Sequence, residues 1–283
     1  MIKKFDFDSI EKKIPKRSST SHKGDFGRVL VVGGSEGMGG AAILSSEASL
    51  FCGSGLVHLN THPINVDASL KRNPEVMVIG NDINFSMPAS INVLLCGPGL
   101  KSDEWSENIF NEVLLAKNVK TMIFDAGALH FMSETNFEIN ADVVLTPHPG
   151  EAAKLLGISN SEVQEDRINA AKAISNKFSA YVILKGKETI ICSDDDKEIF
   201  ICSEGGPELS SGGTGDVLAG VLSALIAQKV DIIDACKLSV AVHARAGEVF
   251  KNKIGEIGLN ASSLIPTIRD LPVSYTHLRA HET

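Results

Sequence analysis

The chain has 283 residues, 43% of them hydrophobic and 22% charged, with a formal net charge of −8. That composition suits a globular protein with a sizeable core and excludes a general nucleic-acid surface, which needs a basic patch. Five cysteines with no C-x-x-C pair argue against a disulfide framework or a zinc site, and for free thiols in a reducing compartment.

The N-terminal MIKKFDFDSIEKKIP lacks a continuous apolar run and does not read as a signal peptide. RVLVVGG (28–34) reads as a buried strand and GAAILSSEASLFCGSG (40–55) as a helix ending at glycines. LVHLNT (56–61), INVLLCGPG (91–99) and TMIFDAGAL (121–129) read as further strands. ADVVLTPHPG (141–150) is a strand running into a proline-started helix, EAAKLLG, and another helix covers about 162–178. AYVILKG, TIIC and EIFICS, separated by GKE and DDDK, read as hairpins at the edge of the sheet. DVLAGVLSALIAQ and IIDACKLSVAVHARAGEVF are helical; the apolar run VLAGVLSALIA is well short of the roughly 20 residues that a bilayer requires. The chain therefore reads as cytoplasmic, with no membrane partner. SYTHLRAHET follows the helix SSLIPTIRDLP without any periodicity, so 274–283 reads as a non-native tail and 1–273 as one domain. Alternating strands and helices predict an α/β fold: a mainly parallel sheet, helices on both faces, and a hairpin extension at one edge.

In such sheets ligands bind beyond the carboxyl ends of the strands. GGSEGMGG, GPGL, DAGAL, TPHPGE, LKGKET and SSGGTGD all fall there, and are expected to converge on one cleft. GGSEGMGG is not a Walker A loop, because Gly40 and Ala41 stand where Lys and Ser/Thr belong. A dinucleotide fingerprint forced onto Gly37, Gly39 and Ala42 starts away from the strand end, and no acid closes the second strand. Gly39, Gly40 and Ala41 either let a bulky ligand approach the backbone or serve tight helix–sheet packing.

SSGGTGDVLAG is more specific. Gly212, Gly213, Thr214 and Gly215 can aim consecutive amides into one concavity at the positive end of a helix, an anion hole suited to a phosphoryl group. Asp216 follows on the first helical turn. It could complement the helix dipole, worth about 0.3–1 kcal/mol. Beside an anion cradle it makes better sense as a base that takes a hydroxyl proton as that oxygen attacks phosphorus.

SHKGDFGRVLVVGGSEGMGGA, LLCGPGL, VVLTPHPGE, VILKGKETII and GGTGDVLAG, in that order over about 18–271, resemble the ribokinase-like superfamily. More closely, they resemble the ADP- or ATP-dependent NAD(P)H-hydrate dehydratases, without the epimerase domain that precedes this module in some relatives. The resemblance implies repair of hydrated NADH and NADPH (S epimer): a nucleotide phosphorylates the ring hydroxyl, phosphate leaves, and the double bond returns. It implies Asp216 as the base, and Lys185, Gly186, Lys187, Glu188 and Thr189 together with Gly215 at the ADP or ATP site. Ala41, Gly99, His148 and Asp216 would contact the hydrated dinucleotide. Magnesium is implied by the phosphoryl transfer, without an assignable ligand set, and relatives suggest a homotetramer. On the residues alone, Lys185 could equally be a solvated strand-end lysine. His148 could be held by local loop bonds, and Glu151 could only favour a helix N-terminus.

Three positions depart from the family pattern. Gly127 stands where an aspartate is frequent and His130 where asparagine is; Gly206, Pro207, Glu208 and Leu209 replace a motif like N-P-G-M; and Gly39 replaces a common proline. Gly127 removes a carboxylate near the cleft, and Glu208 is expected to add negative charge near the phosphates. The competing readings are a vitamin-precursor kinase of the same superfamily, which would release a phosphorylated product, and a non-catalytic nucleotide sensor, which would need no base.

Overall fold

Strands β1 (Ile2–Phe5), β2 (Arg28–Val32), β3 (Leu56–Thr61), β4 (Met77–Gly80), β5 (Val93–Cys96), β6 (Thr121–Phe124), β7 (Asp142–Leu145), β8 (Tyr181–Leu184), β9 (Ile190–Cys192) and β10 (Ile199–Cys202) form one sheet. Their order is β1-β10-β9-β8-β7-β6-β5-β2-β3-β4. The structure is a computed structural model that describes residues 2–271 apart from 12, 13, 83, 84, 86, 136–138 and 196. The expected tail, 274–283, lies outside the described residues.

All neighbouring strands run parallel except β9, which is antiparallel to both β8 and β10. The hairpins read from GKE and DDDK are thus present, but they are not the outermost element. The N-terminal strand closes that edge, pairing Ile2 with Ile199 and Phe5 with Cys202. This strand and β4 were not expected from the sequence. Nor were helices α2 (Val66–Arg72), α3 (Glu104–Leu114) and α4 (Gly127–Glu134), the last of which begins inside the strand read over 121–129. The helix read at about 162–178 divides at Asp166, with α6 (Asn160–Glu165) before it.

Residues alternate between two cores, as a period of two requires. Val29 and Val31 of β2 face the layer of α1 (Gly39–Phe51), α8 (Thr214–Ala227), α9 (Ile232–Lys253) and α10 (Ala261–Asp270). Leu30 and Val32 face the opposite layer, which holds Phe110 of α3, Leu129 of α4 (Gly127–Glu134), Leu155 of α5 (Pro149–Leu156) and Ile174 of α7 (Arg167–Phe178). With both faces covered, the central strands are apolar after their first residue, as in Val143–Leu145 and Met122–Phe124. At about 25 cal/mol per Å² of buried apolar surface, such side chains each contribute roughly 1.5–3 kcal/mol. Cys96, Cys192, Cys202 and Cys236 are buried free thiols, and Cys52 is partly covered.

Strand β2 lies between β3 and β5, so the chain departs from it in both directions. That reversal opens a crevice above the carboxyl ends.

Candidate active site

The loops above the strands are hydrogen-bonded to one another. Gly34 N donates to Pro98 O at 2.8 Å, Ser35 N to Gly99 O at 2.9 Å, Gly127 N to Gly97 O at 3.3 Å, and Lys185 N to Pro147 O at 2.8 Å. The predicted convergence of these loops is therefore real. Gly99 has φ +71°, and a Cβ there would lie 2.4 Å from Met38 O and 3.2 Å from Ala41 Cβ. Only glycine allows this approach, and it puts Ala41 and Gly99 on one wall.

The glycine cradle is shaped by its own threonine. Thr214 Oγ1 donates to Leu209 O at 2.9 Å and Ser211 O at 3.0 Å, bending 209–214 into the start of α8. Gly213, with φ +91°, is the N-cap. The first amides of α8 have no intrahelical acceptor, and space is open around Gly212, where a Cβ would meet nothing within 4 Å. Ser45 Oγ of α1 donates to Asp216 O at 2.9 Å and fixes this turn from below.

Four charged groups meet beside the cradle. Lys185 Nζ donates to Asp125 Oδ1 at 2.6 Å and lies 3.9 Å from Glu151 Oε2. A Cβ on Gly215 would lie 3.4 Å from that ammonium, so Lys185 reaches the first turn of α8. It is thus a partly buried, paired lysine rather than a solvated strand end. Burial disfavours its charge, but Asp125 and Glu151 together lift its pKa above the usual lysine range. Burial, reinforced by Asp125 and by Glu151 against the opposing Lys185, pushes Asp216 up to about 7. A half-buried carboxyl of that affinity is matched to proton transfer near neutral pH.

His148 does the local task allowed for it. Its Nδ1 accepts from Gly150 N at 3.0 Å and Glu151 N at 3.2 Å, and Glu151 Oε2 accepts from His148 N at 2.7 Å, a reciprocal cap on α5. The side chain is more than half exposed, and its Nε2 lies 3.4 Å from Glu151 Oε1. Burial, then Lys185, lowers its pKa, so it presents a neutral imidazole.

The turn 185–189 borders a cavity of about 450 Å³ that extends to Leu209, Gly215 and His243. Lys185, Gly186, Lys187 and Thr189 line it; Glu188 does not, and pairs instead with Lys4 at 2.9 Å. Arg167, at the start of α7, holds the turn from behind. Its guanidinium donates to Leu184 O and Lys185 O, both at 3.2 Å, to Glu188 O at 3.4 Å, and to Lys187 O. Sequence reasoning missed Arg167, Asp125 and His243, whose Nε2 lies 2.9 Å from Thr214 O. The polar residue types were visible, but their partners are distant in the chain.

The departures have structural reasons. A Cβ on Gly127 would sit 2.2 Å from Leu100 O, and one on Gly39 would sit 2.3 Å from Asn65 Oδ1. Glu208 is buried and is absent from the cavity lining; its Oε1 accepts from Gly206 N at 2.9 Å. The expected charge near the phosphates is turned into its own loop. Among the described residues, no group of three or more His, Cys, Asp or Glu is placed to hold a metal ion.

A mostly parallel sheet with this crevice, an amide cradle opening α8 and a carboxyl on its first turn define a ribokinase-like protein. Residues 29–270 match the NAD(P)H-hydrate dehydratase family, and the chain belongs to that family. It is 41% identical over 261 residues to the bifunctional NAD(P)H-hydrate repair enzyme of Vibrio cholerae, covering 91% of this chain and 52% of that one. It is 35% identical to the ADP-dependent (S)-NAD(P)H-hydrate dehydratase of Neisseria meningitidis, covering 89% and 87%. The Bacillus subtilis ADP/ATP-dependent NAD(P)H-hydrate dehydratase, co-crystallized with ATP/Mg2+, superposes with a TM-score of 0.82 at 28% identity over 90% of this chain and 91% of that one. The chain spans about half the length of the bifunctional curated relatives it matches.

Proposed function

We infer that this chain dehydrates the S epimers of hydrated NADH and NADPH, at the cost of ADP or ATP. The ring hydroxyl gives its proton to Asp216 as its oxygen attacks the terminal phosphorus, and the nucleotide departs as AMP or ADP. The ring nitrogen then expels phosphate from the neighbouring carbon, the next carbon loses a proton, and the C=C bond returns. Hydroxide is a poor leaving group and phosphate a good one, which is what the nucleotide supplies.

The amides of Gly212, Gly213, Thr214 and Gly215 and the Lys185 ammonium would stabilise charge on the moving phosphoryl group. Gly186, Lys187, Glu188 and Thr189 belong to the nucleotide turn in this reading, with Glu188 steadying it through Lys4. Ala41, Gly99 and the exposed His148 ring would receive the hydrated dinucleotide. The observation that carries the reading is the juxtaposition of Lys185 Nζ, Gly215 and Asp216 at the start of α8. Magnesium would arrive on the nucleotide phosphates, since the described residues offer no carboxylate cage.

The test is recovery of reduced-nicotinamide absorbance from hydrated NADH with ADP or ATP. Turnover should rise with pH through about 7, as Asp216 ionises, and vanish in Asp216→Asn while nucleotide binding survives. No recovery with either nucleotide would reject the reading.

We place 1–273 as one domain working in the cytoplasm, consistent with the free thiols and with the absence, among the described residues, of any helix long and apolar enough to cross a membrane. A homotetramer completes the proposal, with exposed Ile64, Leu70 and Met77 near the β4 edge as surface to cover. Light scattering that gives the mass of a monomer would reject that part alone.

A further inference from the structure

Asp125 is tied to three strands beyond its own. Its N donates to Cys96 O of β5 at 3.0 Å, and its Oδ1 accepts from Thr146 Oγ1, just past β7, at 2.8 Å and from Lys185 Nζ, just past β8, at 2.6 Å. The residue is 1% exposed. Burying an ion pair yields little net stability against an apolar replacement, so stability alone is a weak reason for a carboxylate here. Its geometric effect is larger. A lysine ammonium is a point charge on a flexible four-carbon stem, and without Asp125 it would be free to swing onto the remaining carboxylates, Glu151 and Asp216. With Asp125 it stands over Gly215.

We propose that Asp125 is the positioning residue of this site, acting through Lys185 to hold one fixed ammonium against the first turn of α8, between the phosphoryl cradle and Asp216. The proposal rests on the dehydratase reading for what the ammonium serves, but the arrangement itself is testable without substrate.

The charged groups facing Asp216 are Asp125 past the end of β6, Glu151 on α5 and Lys185 past the end of β8. On α9, His243 meets the nearby Thr214 O at 2.9 Å, and burial keeps the ring neutral by pushing its pKa down to about 4. Removing the Asp125 charge withdraws one group that raises the Asp216 pKa. It also frees Lys185 to approach Asp216, which lowers that pKa further. Both effects have the same sign. Removing the ammonium has the opposite sign, since Asp216 then faces only carboxylates.

The experiment is a 13C NMR titration of the Asp216 carboxyl in the ligand-free protein, identified by its loss in Asp216→Asn. The midpoint should fall by about one pH unit in Asp125→Asn and rise by a similar amount in Lys185→Met. Where wild-type turnover is present, Asp125→Asn should lose about tenfold to a hundredfold in kcat, as expected for a displaced charge, with a smaller change in nucleotide KM. Thr146→Val, which loosens the anchor but leaves every charge, should lower kcat and move the midpoint in the same direction as Asp125→Asn by a smaller amount. Folded variants with unchanged midpoints, or shifts of the same sign in Asp125→Asn and Lys185→Met, would overturn the proposal. Opposite shifts in a protein that fails to turn over hydrated NADH would uphold the arrangement and reject the dehydratase reading.

Discussion

His243 Nε2 lies 2.9 Å from the carbonyl oxygen of Thr214, so helix α9 supports the backbone of the cradle from inside the protein. A carbonyl only accepts, which obliges Nε2 to carry the hydrogen. Burial pushes the His243 pKa down to about 4. The unfolded chain takes up this proton near the ordinary value of 6.5, the folded one only near 4. The stability contributed is therefore complete above pH 6.5 and is lost as pH falls through that window. Urea midpoints of wild type should drop more steeply between pH 6.5 and 4 than those of His243→Gln; equal slopes would show that this ring is not the group responsible.

Asp216 works in the opposite direction. Its pKa rises from 3.8 to about 7 on folding, so its contribution is present below the unfolded value and is lost as pH rises through 7. Asp216→Asn removes the buried charge. The variant should be inactive yet more stable than wild type at pH 8, by on the order of 2 kcal/mol or several degrees in Tm. The difference should shrink toward pH 4. A lower Tm at pH 8 would contradict the burial of that charge.

Arg167 touches no part of the cavity but gathers the carbonyls of its turn. Arg167→Met should raise nucleotide KM about tenfold, the equivalent of one charge-assisted hydrogen bond, and leave kcat within about threefold. Steady-state kinetics with ADP and with ATP check this. A selective fall in kcat would instead place Arg167 with the reacting groups.

Gly127→Asp introduces the aspartate that the family resemblance implies at this position, but its Cβ would meet Leu100 O at 2.2 Å. Backbone must move, at a cost of about 1–3 kcal/mol. Chemical denaturation should show that loss, and activity should not increase. A neutral substitution would mean that the GPGL loop yields easily.

What was legible in the sequence was what is local. The glycines of 212–215 and the apolar run behind them are contiguous, so the start of α8 could be read directly. The proline and acid of TPHPGE likewise announced the start of α5. Asp125, by contrast, acquires its meaning from Lys185, sixty positions later. They meet only because β6, β7 and β8 are adjacent in the sheet. Arg167 is similarly mute until α7 is laid behind the turn it holds. The strand Ile2–Phe5 carries two lysines in four residues and little apolar signal; tertiary pairing decides its conformation.

That first strand also sets a schedule. Ile2–Phe5 can be seated only after Ile199–Cys202 has left the ribosome, because β10 is its neighbour in the sheet. Seating it also draws Ser203 N to Phe5 O and Phe7 N to Glu204 Oε2, on the segment that leads into the glycine-rich start of α8. A strand made before the other nine described ones is thus among the latest to dock, and the cavity wall at Glu204–Gly206 is finished by a segment that has waited for its neighbour.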